Sequence, residues 1–483
     1  MGKNESGRKF AKDIGWYVSE VAILAVGTLT DERRKAMKRK ACYRGAIVVL
    51  SILMVLSIPR MGGAAKKPYA GVTLHTLLEE LIDTTAVRDL LPEFEKETGI
   101  KVEIEAVQYM TMHEKLIPNL IAPEGSGMYD FLQVDSYWVG EFVSAGWLLP
   151  LEELVKNEPT ISGAKYIPSL MEMTGELKGV VYMLPQWTYP FGLVYRKDIV
   201  YGPKFQKAYK EKFGREWRIP QSIPEYAEVV KLAAEVAPPG VAGSAMQAAR
   251  IDPIVMEWTN YLYSMGGDIY DRKTWKSTIN SPVAIEAARI YKDLVDNAAQ
   301  PGATGANFDD MFNTFAQGKA VFAISHNFLM PELEDPTKSK VAGKIELAPV
   351  PGKGGQLGGW GWAIPTSSPN PEAAWEFLKW VESDKIAYQR AMAGGMPTQE
   401  WIYRDKYFIE KYPFQAVVRQ IIAMGTPQPI IGQSTEMIEI VGQNLSAMVI
   451  GDLSLVEAMN KAAAELDKLA SKDPMVKEIL GLK

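Results

Sequence analysis

Strictly alternating apolar and polar positions mark residues 100–106, where Ile100, Val102, Ile104 and Ala106 interleave with Lys101, Glu103 and Glu105. That two-residue period predicts a strand with one buried face. Upstream, Leu90, Leu91 and Phe94 recur at helical spacing over residues 86–98, and Gly99 stands where a helix stops. The apolar run Val72 to Leu78 predicts a strand before that helix. Strand, helix and strand within about 35 residues make a βαβ unit, which requires parallel strands.

The pattern continues along the chain. Residues 112–121 predict a helix interrupted at Pro118, 129–134 a buried strand and 139–145 a short helix. Ser281-Pro282 opens a helix with Ala284, Ala287, Ala288, Tyr291 and Leu294 on one face. Phe308, Met311, Phe312 and Phe315 predict another, ended by Gly318, and residues 320–324 form a buried strand. Asn370-Pro371 starts a helix on which Trp375 and Trp380 are packing residues, and residues 455–469 predict the last helix. The expected fold class is α/β with open sheets. There is no internal repeat and no low-complexity tract.

Composition narrows the function classes. The chain has 483 residues, 47% hydrophobic and 23% charged, with a net charge of −5. That length supports two or three domains, and no basic excess points to nucleic acid. Three histidines (His75, His113, His326) lack the helical spacing that holds zinc, and Cys42 is the one cysteine. No nucleophile elbow, zinc-protease motif or phosphate-binding loop occurs. The expectation is a protein with no catalytic residues, no metal site and no cofactor.

The first 65 residues read as an export segment. Lys38, Arg39, Lys40 and Arg44 precede the apolar run Ala46–Ile58, and Gly62-Gly63-Ala64-Ala65 supplies small residues for cleavage. The run has 13 residues, short of the roughly 20 that span a bilayer as a helix. It is either removed or kept as a membrane tether. Its position favours Met37 as the true start. The first 65 residues hold 12 Lys/Arg and 5 Asp/Glu, which leaves 41 and 53 in the remainder, a net of −12. An acidic exported chain is not drawn onto anionic lipid.

Several motifs resemble one family. Leu91-Pro-Glu-Phe-Glu-Lys-Glu-Thr-Gly-Ile-Lys-Val102 looks like the N-terminal signature of family 1 extracellular solute-binding proteins of ABC importers. Tyr129–Asp135, Ala145–Leu151, Phe315–Val321 and Gly358–Ile364 followed by Pro371–Leu378 agree in order. The resemblance covers residues 70–470. It implies a two-lobed periplasmic-binding-protein fold of the class II type, with an open sheet in each lobe and a three-segment hinge. By similarity to the maltodextrin-binding branch, the crossings fall near 189–193, 358–362 and 394–399. The N-terminal lobe would comprise 68–192 and 361–396, and the C-terminal lobe 193–360 and 397–483, after the extension and export segment 1–65. The implied function is capture of a sugar or polyol between the lobes and delivery to ABC-transporter permease subunits by an exported monomer, periplasmic or cell-surface.

Sugars present apolar C–H faces and a rim of hydroxyls, so their sites need aromatic platforms and planar polar groups. In open α/β sheets ligands sit at the C-terminal ends of strands. Asp135, Tyr137 and Trp138 follow the strand 129–134, where Asp135 either accepts ligand hydroxyls or caps the next helix. Glu80 follows the first strand, beside Glu79, and Tyr109 follows the second. Trp187 lies just before the first crossing, either lining a cleft floor or buried between lobes. Asn327 follows the strand 320–324 and is preferred over His326. Arg250 and Asp252 precede an aromatic helix. Trp360, between Gly359 and Gly361, is the strongest stacking candidate, with Trp362 sharing its face or supporting it from below.

Two rivals stand beside this reading. Tryptophan platforms with paired carboxylates also occur in secreted glycoside-acting enzymes. Within the binding class, an aromatic box with Asp135 and the glutamates suits a polyamine or another cationic solute. Tyr189, Tyr195 and Tyr201 raise ferric iron as a further ligand, although their sequence positions look structural.

Overall fold

The computed structural model describes residues 67–482. The export segment, the start at Met37 and Cys42 lie outside the described residues. Among the described residues thirteen strands are formed: β1 (Thr73–Glu79), β2 (Lys101–Val107), β3 (Phe131–Asp135), β4 (Glu176–Leu177), β5 (Val180–Val181), β6 (Leu184–Thr188), β7 (Phe191–Arg196), β8 (Ala242–Ser244), β9 (Ala320–His326), β10 (Ile345–Pro349), β11 (Gln356–Leu357), β12 (Gly359–Ala363) and β13 (Thr426–Pro427).

The βαβ unit expected at the start of the fold is present. β1 runs parallel to β2 in register from Thr73↔Lys101 to Glu79↔Val107, joined by the helix Ile82–Thr98. Gly99 ends that helix at φ +79°, donating its N–H to the Glu95 carbonyl, a conformation that costs glycine nothing. The helix begins at Ile82, a turn before its expected start. Asp83 and Thr84 in that first turn are buried, and Thr84 donates its hydroxyl to the Glu79 carbonyl. Polar side chains with buried local partners carry no apolar period, which is why the pattern missed the turn.

β2-β1-β3-β12-β6 form a five-stranded sheet, and β10-β7-β9-β8 a four-stranded one. Each is the centre of a lobe. In the first, β12 is antiparallel to both neighbours, so its beginning meets the C-terminal ends of β3 and β6. Trp360 is thereby opposite Asp135 on one side and Trp187 on the other. The strand starts at Gly359, so Trp360 belongs to the five-stranded sheet. Below it, Trp362 packs on Phe131 and Phe377 and donates its indole N–H to Glu382 at 3.0 Å.

The same floor holds a buried ionic group. Arg390 donates two bonds to Asp83, at 3.1 and 2.9 Å, and one to Glu382 at 2.8 Å, all three side chains being almost fully enclosed. Burial of three charges is tolerable only when each is paired in this way.

Three segments pass between the sheets side by side. Only Tyr189 and Pro190 separate β6 from β7. Tyr189 donates its N–H to the Gly358 carbonyl at 2.9 Å, and the Thr188 hydroxyl donates to the same oxygen. Gly358 has no room for a side chain, because a Cβ there would lie 1.9 Å from the Tyr189 ring. The third segment, after the helix Asp384–Met392, runs alongside β6: Thr188 donates its N–H to the Met396 carbonyl, and Thr398 its hydroxyl to Pro185. Among the described residues no helix is long and apolar enough to cross a membrane.

Candidate functional site

Between the two lobes lies a narrow cavity lined from both sides. The first lobe contributes Glu79 from the end of β1, Tyr109 from the helix Tyr109–Leu120 after β2, Asp135 from the end of β3, Trp187 from β6 and Trp360 from β12. Tyr189 comes from the first crossing. The second lobe adds Met256, Phe308, His326 and Phe328. β1, β3 and β6 meet the cavity at their C-terminal ends, the ends that α/β sheets use for ligands, and the antiparallel β12 meets it at its beginning.

The aromatic groups form a connected wall. The Trp187 and Trp360 indoles stack with centroids 5.9 Å apart and planes at 18°. Tyr109 meets Trp360 edge to face at 5.9 Å, and Phe328 meets Trp187 edge to face at 5.4 Å. Trp138 is stacked behind Tyr109 at 5.6 Å and also abuts Trp360, so it holds both rings without lining the cavity. Offset and edge-on pairs of this kind fix ring orientation as well as burying area.

Two carboxylates face the same space. Asp135 accepts hydrogen bonds from the Tyr189 hydroxyl, the Tyr137 N–H at 3.1 Å and the Ser136 hydroxyl at 3.2 Å. Burial nevertheless pushes its carboxyl up to about 7, against the downward pull of those bonds. Glu79 is held well above the ordinary carboxylate range by burial first, then by the charges of Asp135 and Asp309. Its N–H donates to Gln133 at 2.8 Å, while its carboxylate has no hydrogen-bonded partner among the described residues. His326, packed 3.9 Å from Phe191, is pushed down to about 3 by burial and is therefore a neutral imidazole. The Tyr109 hydroxyl, Trp187 Nε1 and His326 Nδ1 are buried without hydrogen-bond partners. Buried polar groups normally find one, and these three belong to residues that line the cavity.

Of the residues singled out in the sequence, Tyr109, Asp135, Trp187 and Trp360 are brought together at the cavity. Trp138 stands one layer behind. Tyr137 points elsewhere, its hydroxyl accepting from Gln356 and Gln428. Glu80 is outside, exposed and 3.7 Å from Arg88, because Glu79 rather than Glu80 turns inward at the end of β1. Asn327 is fully buried, its side-chain amide directed to Met396. Arg250 is exposed on a turn. Asp252 opens the helix Asp252–Ser264, whose next turn carries Met256 to the cavity, and burial raises its carboxyl to about 6.

The residues not anticipated come mostly from the second lobe. Phe308 opens the helix Phe308–Ala316, where Asn307 and Asp310 form a reciprocal capping box. That signature was legible in the sequence and fixes which end of the helix meets the cavity. His326 lies there because β9 runs two residues past the expected end of the strand.

Comparison with known proteins bears on this geometry. The model of the bacterial extracellular solute-binding protein family matches residues 79–388. The chain belongs to that family. Its relatives include the erythritol/L-threitol-binding protein of Mycolicibacterium smegmatis, 23% identical over 77% of this chain and 79% of the relative. The mannitol-binding protein of Pseudomonas aeruginosa is 24% identical over 71% and 80%. Among solved structures, an ABC-transporter solute-binding protein of Agrobacterium radiobacter in complex with ribitol superposes with a TM-score of 0.73 at 26% identity, covering 83% of this chain and all of that one. A maltose-bound protein of Thermotoga maritima gives 0.72 at 25% identity, covering 82% and 100%. Members of this family and these neighbours are binding proteins of two lobes, the architecture seen here.

Proposed function

We propose that this family member is exported, binds a small sugar or polyol in the interlobe cavity as a monomer, and presents it to the membrane subunits of an ABC transporter. The carrying observation is the cavity itself: a stacked pair of indoles beside two carboxylates and three unpartnered hydrogen-bonding groups, closed in by both lobes. Stacked indoles offer a flat apolar face for sugar C–H groups, and the polar groups match hydroxyls. The erythritol-, mannitol- and ribitol-binding proteins among its relatives support the same class.

In this reading the lobes divide near the three adjacent segments at Thr188–Phe191, Val350–Gly359 and Met392–Thr398, and they separate to admit solute. Ligand contacts made only when both lobes engage favour the closed state, to the extent of that differential affinity. Calorimetric titration with pentitols, hexitols and monosaccharides tests the ligand class, and binding of none of them overturns it. Small-angle scattering with and without the bound solute tests closure, the expected result being a smaller radius of gyration on binding.

A further inference from the structure

The charge of the cavity is one-sided. Glu79 and Asp135 line it, while among the described residues no lysine or arginine does. The neighbours deepen the asymmetry. Asp309, on the second lobe's helix Phe308–Ala316, acts on Glu79, and behind it stand Asp310 and Glu332. Asp252 adds its negative charge from the helix Asp252–Ser264, close enough to act on Tyr109, while His113, which acts on Asp252 with the opposite sign, is paired with Glu141 at 3.0 Å. His326 on β9 is neutral, and Tyr109 and Tyr189 are held far from ionisation by burial. The nearby arginines are engaged or outside: Arg390 is enclosed by Asp83 and Glu382, Arg88 lies near the exposed Glu80, and Arg250 is exposed.

A buried carboxylate without a counter-charge is costly. Asp135 is at least met by three donors, but no donor of this chain reaches the Glu79 carboxylate among the described residues. A neutral polyol brings hydroxyl donors and leaves the net charge buried, unless both acids carry protons. A ligand cation cancels it, and aromatic faces on the other walls attract the same charge through their quadrupoles. Tyr109, Trp187 and His326 still offer partners to hydroxyls.

Building on the carbohydrate reading above, we infer that the solute is a sugar or polyol carrying one protonated amine, its ammonium between the Glu79 and Asp135 carboxylates and its carbon skeleton against the Trp187–Trp360 wall. The hydroxyls set it apart from a simple polyamine, since three directional groups would go unused by a plain alkyl chain. Because both acids hold protons more tightly than ordinary carboxylates in the empty site, ionising them against the ammonium releases protons to solvent. Affinity for the amine therefore rises with pH through the neutral range, as long as the amine itself stays protonated.

The test is calorimetric titration of the full chain with matched pairs: glucamine against sorbitol, and glucosamine against glucose. The expected result, near pH 8 for glucamine and near pH 7 for the less basic glucosamine, is at least about tenfold tighter binding of the amine in one pair, an order set by one ion pairing in a partly desolvated site. Repeating the titration in buffers of different ionisation enthalpy should show net proton release, and the advantage should narrow near pH 5. Glu79→Gln, checked for an unchanged unfolding transition, should narrow it as well. Equal or tighter binding of the neutral members, without proton release, overturns the inference and leaves the carbohydrate reading intact. Binding of putrescine with none of the four hydroxylated probes overturns both.

Discussion

Trp360 sits directly across from Asp135 in the pairing of β12 with β3, and across from Trp187 in the pairing of β12 with β6. One row of the sheet thus delivers an acid and two stacked indoles to the same cavity. Because strand register sets the row, each member depends on its neighbours for position as well as for contact.

Trp360→Ala should weaken solute binding by roughly 1–3 kcal/mol, the range for a buried aromatic anchor. Trp187→Ala should do the same. The double variant should lose less than the sum, since the two rings are in contact. Titration calorimetry on the three variants checks both statements, and unchanged affinity for Trp360→Ala would remove it from the site.

Asp135→Ala strands the Tyr189 hydroxyl in a buried place and should cost about 1–3 kcal/mol of folding stability, read from urea unfolding. Adding Tyr189→Phe should recover part of that loss, because the orphaned hydroxyl is removed with its partner.

How much of this was legible beforehand follows from which signals are local. The βαβ start, the aromatic Trp360 between glycines and Asp135 at the end of a buried strand were all visible as pattern. The choice between Glu79 and Glu80 was not. β1 is covered on both faces, so residues Thr76 to Glu79 are all buried and no alternation marks which glutamate turns inward. Phe308 and Phe328 escaped for another reason. They reach the cavity through the approach of the second lobe, a long-range event with no local periodicity.

Glu257 is buried in the second lobe, where it accepts the Gln247 N–H at 2.6 Å and the Tyr291 hydroxyl at 3.2 Å. Burial pushes its carboxyl up to about 8. A raised acid in the folded state means the unfolded chain gives up its proton first, so stability declines as pH climbs from about 5 to about 8 and then levels off. Glu257→Gln should therefore raise the unfolding midpoint near pH 8 and lose that advantage near pH 5. A denaturation series across that range decides it.

Arg390→Leu leaves Asp83 and Glu382 facing each other without their shared cation. It should destabilise the fold by about 3–5 kcal/mol, the cost of breaking a buried pair from one side. Thermal unfolding monitored by circular dichroism measures it, and a midpoint near that of the parent protein would refute the assignment.

Gly358→Ala drives a methyl group into the Tyr189 ring. The expected outcome is a protein that unfolds at lower temperature and binds solute less tightly, measured by calorimetry on the same preparation.

The link between β6 and β7 is two residues long, and one of them is Pro190. Such a tether has almost no slack, and the pyrrolidine ring locks one of its few torsions. Lateral sliding of one half past the other would tear the flanking strands from their sheets. For lobes that separate as proposed, what remains is a swing, like a book opening on its spine, with Tyr189 at the fold of the binding.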